Sequence, residues 1–126
     1  MRPFHSLSDS EMEIMRVIWG LDAPATAAQL LELFSHKGWK IQTMSTFLTR
    51  LVDKGVLAQG KRGKSNAYSP AVTEREYHSL EAQHVIDSMY NGSLRDFLAA
   101  FSGGSALKKS EADELKQWFE EVAGHD

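Results

Sequence analysis

An amphipathic helical pattern recurs five times along this chain of 126 residues, and one β-type pattern interrupts it. In each of the five segments apolar side chains stand at positions i, i+3, i+4 and i+7, which places them on one face of a helix. The interruption predicts strands at Val56–Gln59 and Asn66–Ser69, separated by a basic, glycine-containing turn at Gly60–Ser65. The sequence therefore predicts three helices, a hairpin and then further helices.

Local signals mark where the predicted helices begin and end. A hydroxyl residue followed three positions later by Glu or Gln is a capping box. Such pairs occur at Ser8 and Glu11, at Thr26 and Gln29, and at Thr73 and Glu76. Further signals are Gly55 as a cap after the third helix, Asn91 and Gly92 as a break after the fourth, and Ser110 with Asp113 opening the last.

The charge of the chain is unevenly distributed. The net charge is −3, yet residues 36–68 carry seven lysines and arginines against one acidic residue, Asp53. A basic block inside an acidic chain indicates a confined surface for a polyanion such as nucleic acid. The plainer alternative is a solvated loop region that happens to be basic.

Three helices followed by a basic hairpin is the order of a winged helix-turn-helix, whose third helix enters the major groove. The third helix has a polar face of hydroxyls, Gln and Arg, which are side chains that pair with base edges and phosphates. Thr43 is equally well explained as an N-cap. For Arg50 a DNA contact is favoured, and a surface ion pair with Asp53 is the alternative. The predicted DNA-binding residues are Gln42, Thr43, Ser45, Thr46, Thr49, Arg50 and Lys54 on the helix, with Lys61, Arg62 and Lys64 on the hairpin.

The last 55 or so residues read as three helices with large apolar side chains, too many for three short helices to bury alone. Packing back onto the first part is one explanation, and packing onto a second copy is the favoured one. We therefore predict a mainly α chain with a winged helix DNA-binding domain at 1–71 and a helical dimerisation domain at 72–126. The predicted dimerisation residues are Leu80, Ile86, Met89, Tyr90, Leu94, Phe97, Leu98, Phe101, Leu115, Trp118, Phe119 and Val122.

Other function classes find little support in the sequence. The chain has no cysteine, its five histidines form no i, i+4 pair, and no phosphate-binding glycine loop is present. We expect neither an enzyme nor a bound metal or cofactor. Because no apolar run approaches the ~20 residues of a membrane span, and the N-terminus lacks a signal-peptide core, we expect a cytoplasmic protein without membrane insertion.

Three stretches, LSDSEMEIMRVIWGL, TMSTFLTRLVDKGVL and KRGKSNAYSPAVTEREY, resemble the penicillinase repressor family (BlaI/MecI/CopY) of winged helix transcriptional repressors. The resemblance runs from Leu7 to about Val122 and implies a bacterial homodimer that binds double-stranded operator DNA. It matches Thr43, Thr46 and Arg50 to the family's recognition helix and the Lys61–Lys64 turn to its wing. Position 45 is Ser, where the penicillinase- and methicillin-type members carry a basic residue.

The resemblance also bears on how repression would be relieved. The β-lactam-type members are cleaved at an Asn–Phe bond, and the matching pair here is Ala100–Phe101, which implies a signalling protease as a partner. The copper-responsive members carry Cys-x-Cys motifs, which a chain without cysteine excludes. Two alternatives stay open: a small-molecule-sensing winged helix regulator, and a winged helix module that binds a partner protein.

Overall fold

The computed structural model describes residues 4–103 and 108–123. The helices are α1 (Asp9–Trp19), α2 (Ala27–Leu33), α3 (Ile41–Asp53), α4 (Glu74–Met89), α5 (Leu94–Phe101) and α6 (Lys109–Val122). The strands are β1 (Ala25–Thr26), β2 (Leu57–Arg62) and β3 (Ser65–Pro70), and a short 3-10 turn spans Ser35–Lys37. The predicted order of three helices, a hairpin and further helices is confirmed.

The capping boxes predicted from the sequence are confirmed. At the start of α1, the Ser8 N–H donates to Glu11 Oε1 at 2.8 Å, and the Glu11 N–H donates to Ser8 Oγ at 3.2 Å. The same reciprocal bonds start α2 and α4, between Thr26 and Gln29 and between Thr73 and Glu76. These bonds satisfy backbone N–H groups that have no partner inside the helix.

Two helix starts differ from the prediction. Lys40 is the N-cap of α3, so Thr43 lies inside the first turn and is not the cap. Lys108 is the N-cap of α6, so Ser110 and Asp113 both lie within that helix. Neither Lys40 nor Lys108 makes a side-chain capping bond. These two helix starts therefore lack the side-chain cap by which a helix start can be recognised in the sequence.

The end of α3 is the predicted glycine cap. Gly55 has a φ of +82°, a left-handed conformation that glycine adopts without strain. Its N–H donates to the Val52 carbonyl at 3.0 Å, and the Val56 N–H donates to the Leu51 carbonyl at 3.2 Å. This pair of bonds is a Schellman motif, which turns the chain directly into β2.

The three strands form one antiparallel sheet in the order β1-β3-β2. The pairing of β2 with β3 extends to Arg62 and Ser65, so only Gly63 and Lys64 form the turn. The predicted turn at Gly60–Ser65 was too long. Gly63 has a φ of +65°, as at the first central position of a type II′ turn, whose twist suits a two-residue hairpin.

The chain divides into two compact units, Met1–His84 and Val85–Asp126. The division falls inside α4, later than the boundary at 71 and 72 that the change of pattern predicts. The reason is Tyr77 of α4, which is fully buried in the core of the first unit and whose hydroxyl accepts a hydrogen bond from the Leu7 N–H at 3.3 Å. The functional division at residue 71 stays a prediction.

The core lies in the first unit. It consists of buried apolar side chains contributed by all of its helices and strands, namely Ile14, Met15, Ile18, Ala25, Leu30, Phe34, Met44, Leu48, Leu51, Val56, Leu57, Tyr68 and Tyr77. By contrast, none of the residues described in the second unit is buried. The second unit therefore keeps much of its apolar surface exposed.

Glu11 is the one charged side chain that is buried among the residues described, with 2% of its surface exposed. Its Oε1 accepts hydrogen bonds from the Ser8 N–H at 2.8 Å and from Lys54 Nζ at 2.7 Å. Burial alone would raise the pKa of Glu11, but the hydrogen bonds from Lys54 and Ser8 outweigh it, and the pKa lies below its ordinary value.

This pKa predicts how acid affects the first unit. A carboxyl group whose pKa is lower in the folded state stabilises the fold above its unfolded pKa, and loses that contribution as pH falls through the folded pKa. Near neutral pH, Glu11→Gln should lower the free energy of unfolding by roughly 1–3 kcal/mol, because a charge-assisted hydrogen bond is lost. Urea denaturation should show the difference between wild type and Glu11→Gln shrinking as pH falls below the ordinary value of 4.5. A difference that stays constant over this range would contradict the prediction.

Candidate nucleic-acid interface

Helix α3 has one buried face and one exposed face. Met44, Leu48 and Leu51 are fully buried and fix the rotation of the helix about its axis. The opposite side carries the predicted polar stripe, in which Gln42, Thr46, Thr49 and Arg50 are exposed, while Thr43 and Ser45 at its flanks are partly buried. The core thus holds the polar stripe toward solvent.

The two exposed threonines of this face are already hydrogen-bonded to their own helix. Thr46 Oγ1 donates to the Gln42 carbonyl at 2.9 Å, and Thr49 Oγ1 donates to the Ser45 carbonyl at 3.0 Å. Each hydroxyl proton is therefore occupied, and what remains for a ligand is a methyl group and the acceptor lone pairs of the oxygen. The face offers apolar contacts and acceptors at these two positions, and a donor at Arg50.

Arg50 is exposed near the C-terminal end of α3. The surface ion pair with Asp53, which the sequence left as an alternative, does not occur in the part of the chain that the structure describes. The guanidinium group is therefore available for a carboxylate, a phosphate or a guanine edge, the partners that its planar fork suits.

Lys54 is placed differently from the other predicted DNA-binding residues. Its Nζ lies 2.7 Å from Glu11 Oε1 and 2.9 Å from the Ser6 carbonyl, and 24% of its side chain is exposed. The ammonium group is thus bound within the first unit. The sequence shows the basic residue, but its partner is 43 positions away.

The hairpin concentrates positive charge at its tip. Lys61 and Arg62 end β2, Lys64 lies in the two-residue turn, and all three side chains are exposed. Because neighbouring residues of a strand point to opposite faces, Lys61 and Arg62 place charge on both sides of the hairpin. Such a tip is suited to the phosphate backbone.

An aromatic stack that was not predicted from the sequence positions the start of α3. The Trp39 ring lies 5.4 Å from that of Phe34 at an interplanar angle of 20°, and 5.1 Å from that of Phe47. Gly38, with a φ of +69°, turns the chain into this stack. The aromatic residues at 34, 39 and 47 were the available signal, but their spacing does not match a single helix face.

The residues predicted to form a dimer present an apolar surface. Leu80 lies in the first unit and the others lie in the second. The most exposed are Phe101 at 77% and Met89 at 73%, and Trp118 is 51% exposed. Leu94, Phe119 and Val122 are also exposed, whereas Ile86, Tyr90, Phe97, Leu98 and Leu115 are partly buried.

The residues described contain neither a metal-binding cluster nor a membrane-spanning helix. No group of three or more His, Cys, Asp or Glu side chains is arranged to hold a metal ion. Within the same ranges, none of the helices combines the length and apolarity that crossing a membrane requires. The exposed face of α3 and the hairpin tip form the candidate interface because they present the exposed polar and basic side chains.

Comparison with known proteins identifies similar sequences. A family model described as "Penicillinase repressor" matches residues 7–121. The penicillinase repressor of Bacillus licheniformis is 32% identical over 121 residues, which cover 96% of this chain and 94% of that protein. The methicillin resistance regulatory protein MecI of Staphylococcus aureus (strain N315) is 27% identical over 113 residues, covering 89% and 91%.

Two solved structures are also similar to this chain. The solution structure of the DNA binding domain of the repressor BlaI superposes with a TM-score of 0.52 at 32% identity. The Bacillus licheniformis BlaI monomeric form in complex with the blaP half-operator superposes with a TM-score of 0.50, also at 32% identity. Each covers 61% of this chain and 94% of the solved chain.

The hairpin tip predicts a sequence-independent contribution to DNA affinity. Lys61→Ala should weaken binding to any duplex and reduce the slope of log affinity against log salt by about one, because one phosphate contact is lost. Fluorescence anisotropy over a salt series measures both quantities. Lys109→Ala, which removes an exposed lysine of α6, is the matched control for net charge. An equal change of slope in the control would assign the effect to net charge and not to a contact.

Proposed function

The chain belongs to the penicillinase repressor family, and we propose that it is a homodimeric transcriptional repressor that occludes a promoter by binding a palindromic operator. DNA binding is assigned to residues 1–71 and dimerisation to residues 72–126. As a regulator that binds DNA it would act in the cytoplasm.

The observation that carries this proposal is the exposed face of α3 beside the basic hairpin. Arg50 is available there, Asp53 is the one acidic residue of the helix, and the hairpin tip carries three exposed cations. The same kind of domain is bound to a half-operator in the BlaI complex that this chain resembles. Phosphate contacts supply most of the affinity, and base contacts supply the specificity.

The geometry of α3 supports specific roles for its residues. Arg50 is suited to bidentate bonds with guanine, and Gln42 to bidentate bonds with adenine. Because the hydroxyl protons of Thr46 and Thr49 are bound to carbonyls of the helix, these residues would offer their methyl groups to thymine. Thr43 and Ser45 flank this surface and would contact the phosphate backbone, as would Lys61, Arg62 and Lys64.

Homodimerisation is supported by the exposed apolar surface of the second unit. Large apolar patches seldom stay exposed on a monomer, and a second copy of the same surface would bury them. A dimer places two recognition helices on two half-sites of a palindrome. The second half-site is then bound at a high effective concentration, so two weak contacts become one tight one.

In this proposal a signalling protease relieves repression by cleaving the Ala100–Phe101 bond. Phe101 is the last residue of α5 and is 77% exposed in the single chain, so this bond is accessible in the free monomer, before the proposed dimer covers it. Cutting this bond would separate α6 from α4 and α5. The dimerisation surface would then be lost, and the operator would be released.

One observation favours a second candidate, a regulator released by a small molecule. An apolar groove of about 510 Å³ lies between α5 and α6 and is lined by Leu98, Leu115 and Phe119, among others. A small apolar molecule bound in this groove would raise the melting temperature of the protein and weaken DNA binding.

A third candidate is a winged helix module that binds a partner protein. Such a module would show partner binding that is insensitive to salt, and no affinity for DNA.

Arg50→Ala tests the assignment of α3. It should cost about 1–3 kcal/mol of binding to the operator, because a bidentate base contact is lost, with a much smaller loss on random DNA. Fluorescence anisotropy should compare a duplex from directly upstream of the gene with a scrambled duplex at several salt concentrations. Equal losses on both duplexes would mean that α3 does not read the sequence. No binding of the wild type to either duplex would favour the partner-protein candidate.

Trp118→Asp tests the dimer. A charge at this position of the proposed surface should shift the protein from dimer to monomer in analytical ultracentrifugation, because an unpaired charge would be buried in the interface. Binding to a full operator should weaken, while binding to a half-site duplex should stay unchanged. Leu33→Asp is the matched control, since Leu33 is 52% exposed and Trp118 is 51% exposed, but Leu33 lies in the first unit. A wild type that sediments as a monomer would overturn the homodimer.

A further inference from the structure

The buried carboxylate of Glu11 is an anchor in the first unit. It is held in place by the capping box of α1, and three apolar residues of the same helix, Ile14, Met15 and Ile18, are fully or almost fully buried in the core. Its Oε1 accepts both the Ser8 N–H and Lys54 Nζ. Its Oε2 is buried without a hydrogen-bond partner. The position of this carboxylate is therefore fixed by α1 and not by α3.

Lys54 connects this anchor to the end of α3. Its side chain binds Glu11 Oε1 at 2.7 Å and the Ser6 carbonyl at 2.9 Å. Its backbone N–H donates to the carbonyl of Arg50 at 2.9 Å. Arg50 stands one helical turn before Lys54, on the same side of α3. A displacement of Lys54 would therefore also move the backbone at Arg50, to which it is hydrogen-bonded.

The apolar core by itself does not fix the end of α3 with the same accuracy. Burial of Met44, Leu48 and Leu51 sets which face is inward, but the hydrophobic effect is not directional. A charge-assisted hydrogen bond is directional and strong. Bidentate recognition of a base requires directional accuracy at Arg50, which the bond from Lys54 to Glu11 is placed to supply.

We propose that Glu11 and Lys54 position the C-terminal end of α3 for base recognition, and that Lys54 is a positioning residue and not a phosphate contact. This inference rests on the proposed function, because it concerns the same DNA-reading helix. It differs from the role that the sequence suggests for Lys54, and it gives a role in DNA binding to Glu11, an acidic residue outside the interface.

The test uses a double variant, Glu11→Gln with Lys54→Met, in the full chain. Glutamine retains the capping box, no buried charge is left unpaired, and the net charge of the protein is unchanged. We expect the ratio of affinities for the upstream and scrambled duplexes to fall about tenfold or more, as when a bidentate base contact is impaired. The salt slope on the scrambled duplex should stay that of the wild type. Lys54→Arg, which retains a cation for Glu11, should preserve both quantities.

Two results would overturn the positioning role. If the salt slope of the double variant falls by about one, as expected for Lys61→Ala, Lys54 contacts a phosphate. If the affinity ratio of the double variant equals that of the wild type, the bond to Glu11 does not position Arg50. Both results apply when the wild type itself binds the upstream duplex more tightly than the scrambled duplex.

A measurement without DNA separates this inference from the proposed function. The amides of Gly55 and Val56 close the last turn of α3, and their hydrogen exchange should be faster in the double variant, while that of Tyr68 in β3 is unchanged. Unchanged exchange at Gly55 and Val56 would overturn the link itself. Faster exchange, combined with a wild type that has no preference between duplexes, would overturn the proposed function and with it the role in base recognition.

Discussion

Burial of the apolar stripe of α3 is the constraint on which the rest of the first unit depends. Met44, Leu48 and Leu51 are fully enclosed by α1, α2 and the sheet. Because α3 is amphipathic, burial of its apolar stripe in the core leaves the opposite face exposed to solvent. Every candidate DNA contact of α3 is thus a consequence of the same three side chains.

Aromatic and polar contacts outside the apolar stripe then position the two ends and the exposed side chains of α3. The aromatic stack around Trp39 sets the start of α3, and the bond from Lys54 to Glu11 holds its end. Back-bonding of Thr46 and Thr49 decides which of their atoms face outward. A basic hairpin with a two-residue turn lies next in the chain. The candidate DNA-binding surface is therefore held at both ends of its helix, while the polar side chains between them, Thr46 and Thr49, are exposed.

The second unit differs from the first in having no buried core among the residues described. Its helices carry apolar residues at helical spacing, yet none of the residues described there is buried. Three short helices enclose too little volume to cover Phe101, Met89 and Trp118. In the proposed homodimer a second copy would cover this surface, and DNA affinity would then depend on pairing with that copy.

The sequence by itself determined the order of the helices and the hairpin, the three capping boxes, the glycine cap after α3 and the face that this helix exposes. These features depend on residues three or four positions apart, so they are visible without knowledge of the fold. Only the tertiary structure decided that Lys40 and not Thr43 caps α3, that the hairpin turn has two residues, and that Lys54 binds Glu11. The partners of Lys54 are 43 and 48 positions away, and only the packing of α1 and the N-terminal segment brings them to the end of α3.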